Sequence, residues 1–150
     1  MSSRKLDRGE PDAASASRIN LRAGWWGLLV FLTLGLGLEA LNGFKIQFYL
    51  GVASETRRTM WTLAHAHGTL LSLINIAFGL SAPGLAALGA GRARFASRCL
   101  LGALYLLPAG FFLGGAWIYA GDPGLGIVLV PLGGILLLIG VLMTARATRD

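Results

Sequence analysis

Four apolar segments, each of roughly 20 residues, restrict what this sequence can fold into more than any other feature. They run from about 24 to 43, 62 to 82, 99 to 120 and 125 to 144. A helix of about 20 residues rises about 30 Å, which is the thickness of a bilayer's hydrocarbon core. A lone strand would leave its backbone polar groups unpaired in lipid, so each segment is predicted to be a helix. The sequence therefore predicts an all-α polytopic membrane protein, a four-transmembrane-helix bundle.

The composition and the flanking residues favour the same class. Apolar residues make up 55% of the chain and charged residues only 13%, about half the charged share of a soluble domain. Tryptophans stand near the segment ends, where the headgroup layer accepts both their apolar rings and their polar N–H groups. A cleavable signal peptide is a poor description of the first segment, because the preceding residues 1–22 are largely polar and no clear small-residue cleavage site follows.

The positive charges predict the orientation. Only Lys45, Arg57 and Arg58 lie on one side of the segments, and the other ten Lys and Arg residues lie on the opposite side. The positive-inside rule then predicts a bacterial inner (plasma) membrane protein with both termini in the cytoplasm. The net charge of +6 is expected to contact anionic lipid, and no basic pattern of a nucleic-acid-binding module is present.

The organisation follows from these segments. Residues 1–22 are predicted to be a disordered cytoplasmic tail, residues 23–146 the four-helix transmembrane domain, and residues 147–150 a cytoplasmic end. Gly121-Asp122-Pro123-Gly124 is typical of a tight turn, which would make the third and fourth segments an antiparallel hairpin. The outer loop, about 44 to 61, has a pattern that suits a short helix lying on the membrane surface.

A few polar residues inside the membrane are the candidates for function, since a charge there is costly and is by default a functional hypothesis. Glu39 and His65 lie near ends of the first two segments that one loop joins, so we expect them in the same layer, near the outer face. Residues two apart on a helix point about 200° away from each other, so His65 and His67 cannot both face one ion. His65 shares a polar stripe and should point inward, whereas His67 should meet another helix, a second subunit or a cofactor. The full set is Glu39, Asn42, His65, His67, Thr69, Ser72 and Asn75.

The run Ala64-His65-Ala66-His67-Gly68 resembles the His-x-His helix of haem-copper oxidase catalytic subunits, in which two histidines serve two haems. It is also similar to small bacterial four-helix membrane proteins of unknown function with an intramembrane His-x-His helix. This chain has only two histidines, too few for an oxidase subunit of that kind. The resemblance implies haem or metal ligation, with His65 and His67 as the cofactor-binding positions.

Three functions remain open from the sequence. The first is a haem- or transition-metal-binding membrane protein, with His65 and Glu39 as metal ligands; a haem would be shared across a homo-oligomer, because one chain supplies few ligands. The second is a small proton-coupled transporter that uses Glu39, reminiscent of small dimeric multidrug exporters. The third is an accessory or assembly subunit of a larger membrane complex, in which the polar residues only tie helices together. An enzyme is disfavoured, because one cysteine, Cys99, excludes a two-cysteine redox motif and no hydrolase or nucleotide-binding motif occurs.

Overall fold

The computed structural model describes residues 10–51, 54–84 and 89–148, with side chains from residue 14 onward. Its helices are α1 (Glu10–Gly43), α2 (Gln47–Leu50), α3 (Glu55–Ser81), α4 (Gly89–Ala116) and α5 (Leu129–Ala147), with 3-10 turns at Ala82–Gly84 and Leu125–Val128. Within the described residues, α1, α3, α4 and the segment Leu125–Ala147 are long and apolar enough to cross a membrane. The predicted all-α, four-helix architecture is confirmed, and the chain is a multi-pass membrane protein.

Three helices begin before the apolar segments from which they were predicted, whereas α4 ends at Ala116 and not at about 120, because Ile118 and Tyr119 form a strand of the tight hairpin. Residues 10–22, expected in a disordered tail, belong to α1, and residues 1–9 lie outside the described part. Pro11 falls in the first turn, where its missing N–H breaks no helical bond, and the alanines that follow favour helix. In the following turn the buried side chains of Ala16 and Ser17 hold α1 against the rest of the fold. Likewise α3 and α4 begin before 62 and 99, because hydropathy marks the lipid-facing part of a helix and not its ends.

The end of the bundle at which α1 is joined to α3 and α4 to α5 is the one predicted to face outward; we call it the outer end and the opposite end the inner end. Both connections at the outer end contain short elements. The loop after α1 holds the four-residue α2. Between α4 and α5, strands β1 (Ile118–Tyr119) and β2 (Asp122–Pro123) pair antiparallel, with Ile118 opposite Pro123 and Tyr119 opposite Asp122. Ala120 and Gly121 between them have φ of 52° and 94°, the positive values that a two-residue hairpin turn requires. A tight reversal is thus present where the sequence predicted one, with its central residues slightly earlier.

The order of packing in the bundle places two helices at its centre. α1 packs on α3, α3 on α4 and α4 on α5, with a smaller α1–α4 contact, while α1 and α5 hardly touch. In the most apolar stretches of α1 and of Leu125–Ala147 only 11% of the residues are buried, whereas the corresponding values are 44% in α3 and 50% in α4. The outward faces carry exposed large apolar side chains such as Leu36 (72%) and Leu138 (68%). Such faces are unfavourable in water and suited to lipid.

The core follows the two central helices. One cluster joins Ala64 and Leu71 of α3 to Leu104, Leu107 and Phe111 of α4. A second cluster lies toward the inner end, and its members are Phe78, Ala82, Ala93, Ala96 and Leu100. Small residues allow membrane helices to approach each other closely. Gly133 of α5 is such a point, because a Cβ there would lie only 2.8 Å from the backbone nitrogen of Leu107 in α4.

Candidate functional site

A cavity of about 520 Å³ opens between α1 and α3 near the ends that the outer loop joins. Its apolar lining comes from Leu32, Leu36 and Leu38, which belong to α1. Its polar lining consists of Glu39 and Asn42 from α1, Tyr49 from α2, and Arg58, Thr62 and His65 from α3. The structure therefore brings Glu39 and His65 together in one cavity, as their positions in the sequence suggested, and adds Arg58, which the sequence did not single out.

The cavity reaches well down the helices. Asn42 lies in the last turn of α1, whereas His65 lies ten residues after the start of α3 at Glu55. At about 1.5 Å per residue this is about 15 Å along the helix axis. His65 is this far from the start of α3 because α3 begins about two turns before the apolar segment does.

The imidazole of His65 is fixed against α1. Its Nδ1 lies 2.8 Å from the carbonyl oxygen of Phe31. A carbonyl only accepts, so Nδ1 carries a proton, and Nε2 is the nitrogen left to face a further partner. Gly35 makes room for the ring, because a Cβ there would lie 2.7 Å from Nδ1 and 3.0 Å from Nε2. The absence of a side chain at Gly35 is thus part of how the site is built.

The second histidine faces a different helix. Nδ1 of His67 donates to the carbonyl oxygen of Leu63 at 2.9 Å, within α3 itself. Its ring packs against Phe111 of α4, with 4.9 Å between the ring centroids. His65 therefore contacts α1 and His67 contacts α4, as expected for residues about 200° apart on one helix. The two rings cannot hold one ion between them.

The charged groups of the cavity are not paired with each other. Glu39 is exposed and has no hydrogen bond or ion pair in the described part of the chain, and it lies more than 4 Å from the guanidinium of Arg58. Nη1 of Arg58 donates to the carbonyl oxygen of Leu50 at 3.3 Å. The cavity thus presents one carboxylate, one guanidinium and the free amide of Asn42 to whatever enters it.

The predicted metal ligands, Glu39 and His65, line one cavity. Nowhere in the described ranges do three or more His, Cys, Asp or Glu side chains come close enough to hold a metal ion. A metal bound by these two residues would need further ligands of another kind or from another molecule. A haem held by His65 and His67 of the same chain does not fit, because those two rings contact different helices.

The remaining polar candidates on α3 lie below the cavity. The Oγ of Ser72 donates to the carbonyl oxygen of Gly68 at 2.7 Å, within the helix. Oγ1 of Thr69 is buried without a hydrogen-bond partner, the one such side-chain atom found among the residues described. Ser72 faces α1 closely, since a Cβ on Gly24 would lie 2.7 Å from its carbonyl oxygen.

Asn75 belongs to a second polar cluster that sequence reasoning missed. Its Nδ2 donates to the carbonyl oxygens of Leu71 (2.9 Å) and Leu100 (3.3 Å), and its Oδ1 accepts from Nδ2 of Asn20 at 2.9 Å. Ser97 of α4 donates its hydroxyl to Oδ1 of Asn20. Asn20 and Asn75 are fully buried. We call Asn20, Asn75 and Ser97 the inner polar cluster; it joins α1, α3 and α4.

The signal for this cluster was present in the sequence. Ser17, Asn20, Gly24 and Gly27 recur at spacings of three and four, which is one face of a helix. Because these residues stand before or at the edge of the first apolar segment, the hydropathy boundary assigned Ser17 and Asn20 to the tail. In the structure Ser17 donates its hydroxyl to the carbonyl oxygen of Gly79 at 2.5 Å, so this face is the inner half of the α1–α3 contact.

Comparison of the chain with profiles of known protein families, with characterised proteins and with solved structures gave no match.

Proposed function

We propose that this integral membrane protein binds a small zwitterionic solute in the cavity between α1 and α3, with Glu39 holding the positive group and Arg58 the negative group. The observation that carries the proposal is that these two opposite charges line the same cavity and do not pair with each other. Glu39 belongs to a predicted membrane segment, and a charged residue there is costly and usually faces a pathway or a site.

The charge balance of the cavity indicates the class of ligand. A simple cation would leave Arg58 without a counter-charge, and a simple anion would leave Glu39 without one. Leaving a desolvated charge unpaired is unfavourable. A solute that carries both charges offers a partner to each group, and Nε2 of His65 and the amide of Asn42 are placed to hydrogen-bond its uncharged part. On the positive-inside rule the cavity opens to the outer side of a bacterial inner membrane, which would suit uptake or sensing of an external solute.

The test is a calorimetric titration of the purified protein in mild detergent. Glycine and glycine betaine are the zwitterionic probes, and acetate and methylammonium are the matched probes that carry one charge. We expect heat of binding with at least one zwitterion and none with the single-charge probes. Glu39→Gln should weaken binding about 10- to 100-fold, the equivalent of one lost charge-assisted hydrogen bond.

Glu55→Gln is the matched control, because Glu55 is exposed at the start of α3 and does not line the cavity. It should leave the affinity unchanged. Absence of binding for both zwitterions, or equal affinity in the Glu39→Gln and wild-type proteins, would reject the proposal.

A second candidate is ligation of a metal or haem by His65. The observation in its favour is that Nδ1 donates to a backbone carbonyl, which leaves Nε2 as the coordinating nitrogen in the way metal-binding histidines are usually held. Glu39 lies in the same cavity, and the remaining ligands would come from solvent or from a second copy of the chain. Metal analysis and visible spectra of oxidised and reduced protein test this. A stoichiometric metal or a Soret band lost in His65→Ala would support it, and a colourless, metal-free, folded sample would reject it.

A further inference from the structure

A long apolar groove lies between α1 and α4, away from the polar cavity. Two adjoining cavities form it, of about 490 Å³ and 380 Å³. They share Val30, Phe31, Leu104 and Tyr105, so the groove is continuous. Its walls include the half-exposed or exposed rings of Trp26 (59%), Tyr105 (64%) and Phe112 (39%), and its floor includes the fully buried Ala64.

The length of the groove matches one acyl chain. From Arg22 to Leu34 it runs twelve residues along α1, which is about 18 Å on a helix, and Ile19 extends the lining by one turn beyond Arg22. Half the hydrocarbon thickness of a bilayer is about 15 Å. Trp25 and Trp26 follow Arg22 directly, and paired tryptophans are typical of the headgroup boundary. The groove therefore starts at headgroup level and ends near the bilayer midplane.

One end of the groove carries a positive charge. Among the described residues that line it, Arg22 alone is charged. Its side chain is exposed, and Arg18, one turn earlier on α1, is exposed as well. A guanidinium at headgroup level beside an apolar groove of about one acyl length complements a molecule with a negatively charged head and a fatty tail.

We propose that this groove binds an anionic phospholipid from the leaflet on the N-terminal side of α1. Its phosphate contacts Arg22, and one acyl chain lies along α1 and α4 between Trp26 and Phe112. The site is independent of the polar cavity, which lies against α3 on another face of α1, so either proposal can fail without the other.

The test uses quenching of tryptophan fluorescence by brominated lipid. Two variants keep a single tryptophan each, Trp26 in the groove or Trp25 beside it, with the others replaced by Phe. Each is reconstituted in phosphatidylcholine vesicles that contain a minor fraction of either brominated phosphatidylglycerol or brominated phosphatidylcholine. We expect Trp26 to be quenched more by the anionic lipid than by the zwitterionic one, and Trp25 to show no such preference.

The charge dependence is tested in the variant that keeps Trp26. Arg22→Gln should weaken the apparent affinity for phosphatidylglycerol about fivefold, since one basic residue at an anionic surface contributes about 1 kcal/mol. Arg22→Lys should retain the preference. Arg98→Gln is the control, because Arg98 is an exposed arginine on α4 that does not line the groove. Equal quenching of Trp26 by both lipids, or an unchanged preference in Arg22→Gln, would overturn the proposal. No quenching by either lipid would show that protein covers the groove, which also overturns it.

Discussion

Replacement of Asn75 by Ala should loosen the inner polar cluster, and the structure gives the size of the effect. The substitution removes two hydrogen bonds that join helices, the one from Asn20 and the one to the carbonyl oxygen of Leu100. Hydrogen bonds between membrane helices contribute about 0.6 kcal/mol on average and about 1.7 kcal/mol at most. The amide of Asn20, fully buried, also loses its acceptor, and an unsatisfied buried donor costs about 1–3 kcal/mol. We expect the free energy of unfolding to fall by about 2–3 kcal/mol.

The coupling between the two asparagines is the sharper measurement. Unfolding is followed in mixed micelles of increasing sodium dodecyl sulfate content for wild type, Asn20→Ala, Asn75→Ala and the double variant. Because the two side chains bond to each other, the double variant should lose about 1 kcal/mol less than the sum of the single losses. Asn42→Ala is the control with the same chemical change, since Asn42 is exposed and has no side-chain hydrogen bond in the described structure; it should change stability by less than about 0.5 kcal/mol. If the stability losses of Asn20→Ala and Asn75→Ala were strictly additive, or if Asn42→Ala lost as much stability, the conclusion that the cluster holds the helices together would be refuted.

Three further substitutions test the packing and the turn. Gly68→Ala should destabilise the protein by about 1–3 kcal/mol, because its Cβ would overlap the ring of Phe31. The control is Gly37→Ala, which should be neutral or slightly stabilising because a Cβ there has nothing within 4 Å. Unfolding in detergent compares the two variants. His65→Ala should weaken the α1–α3 contact, and the retention of a ligand or cofactor, more than His67→Ala does, since only the His65 ring hydrogen-bonds to another helix. Equal tolerance of both substitutions would contradict the placement of His65 against α1. Gly121→Ala should cost about 1 kcal/mol because φ there is +94°, while Gly84→Ala, which has open space and no positive φ, should cost less in the same unfolding assay.

The four spanning helices could be predicted because lipid imposes one requirement on every segment that crosses it. A run of apolar residues long enough to cross the membrane has to be helical there. The same argument does not say where a helix ends, since polar turns continue a helix into the headgroup layer and beyond. For that reason α1 was predicted to start at about 24, although it begins at Glu10 and buries Asn20 in its first half.

The candidate site was predictable to the extent that chain connectivity determined it. Glu39 and His65 are brought together because one loop joins the helices that carry them. Arg58 could not be placed, because it precedes the apolar segment and was counted as a loop charge. The opposite directions of His65 and His67 followed from helix geometry alone. Which helix each ring meets depends on the packing order, with α3 lying between α1 and α4, and no local pattern encodes that order.

The two halves of the α1–α3 contact differ in a way that predicts how the protein moves. In the inner half, Ser17, Asn20 and Asn75 are buried and hydrogen-bonded, and Gly24 allows close approach to Ser72. In the outer half, Glu39 and Asn42 are exposed and a cavity separates the helices. Because local opening is easiest where buried contacts are few, the outer end of α1 should move against α3 while the inner half stays fixed.

Hydrogen–deuterium exchange of the reconstituted protein measures this difference. We expect the amides of residues 38–43 to exchange faster than those of residues 16–24, although both stretches lie near an end of the same spanning helix. The Asn75→Ala variant supplies the internal control, because loss of the inner polar cluster should raise exchange in residues 16–24 and leave residues 38–43 unchanged. Equal exchange of the two stretches in the wild-type protein would mean that the cavity is as rigid as the inner contact. A solute would then have to enter without any movement of α1, and binding at Glu39 and Arg58 would depend on the fixed opening between the helices alone.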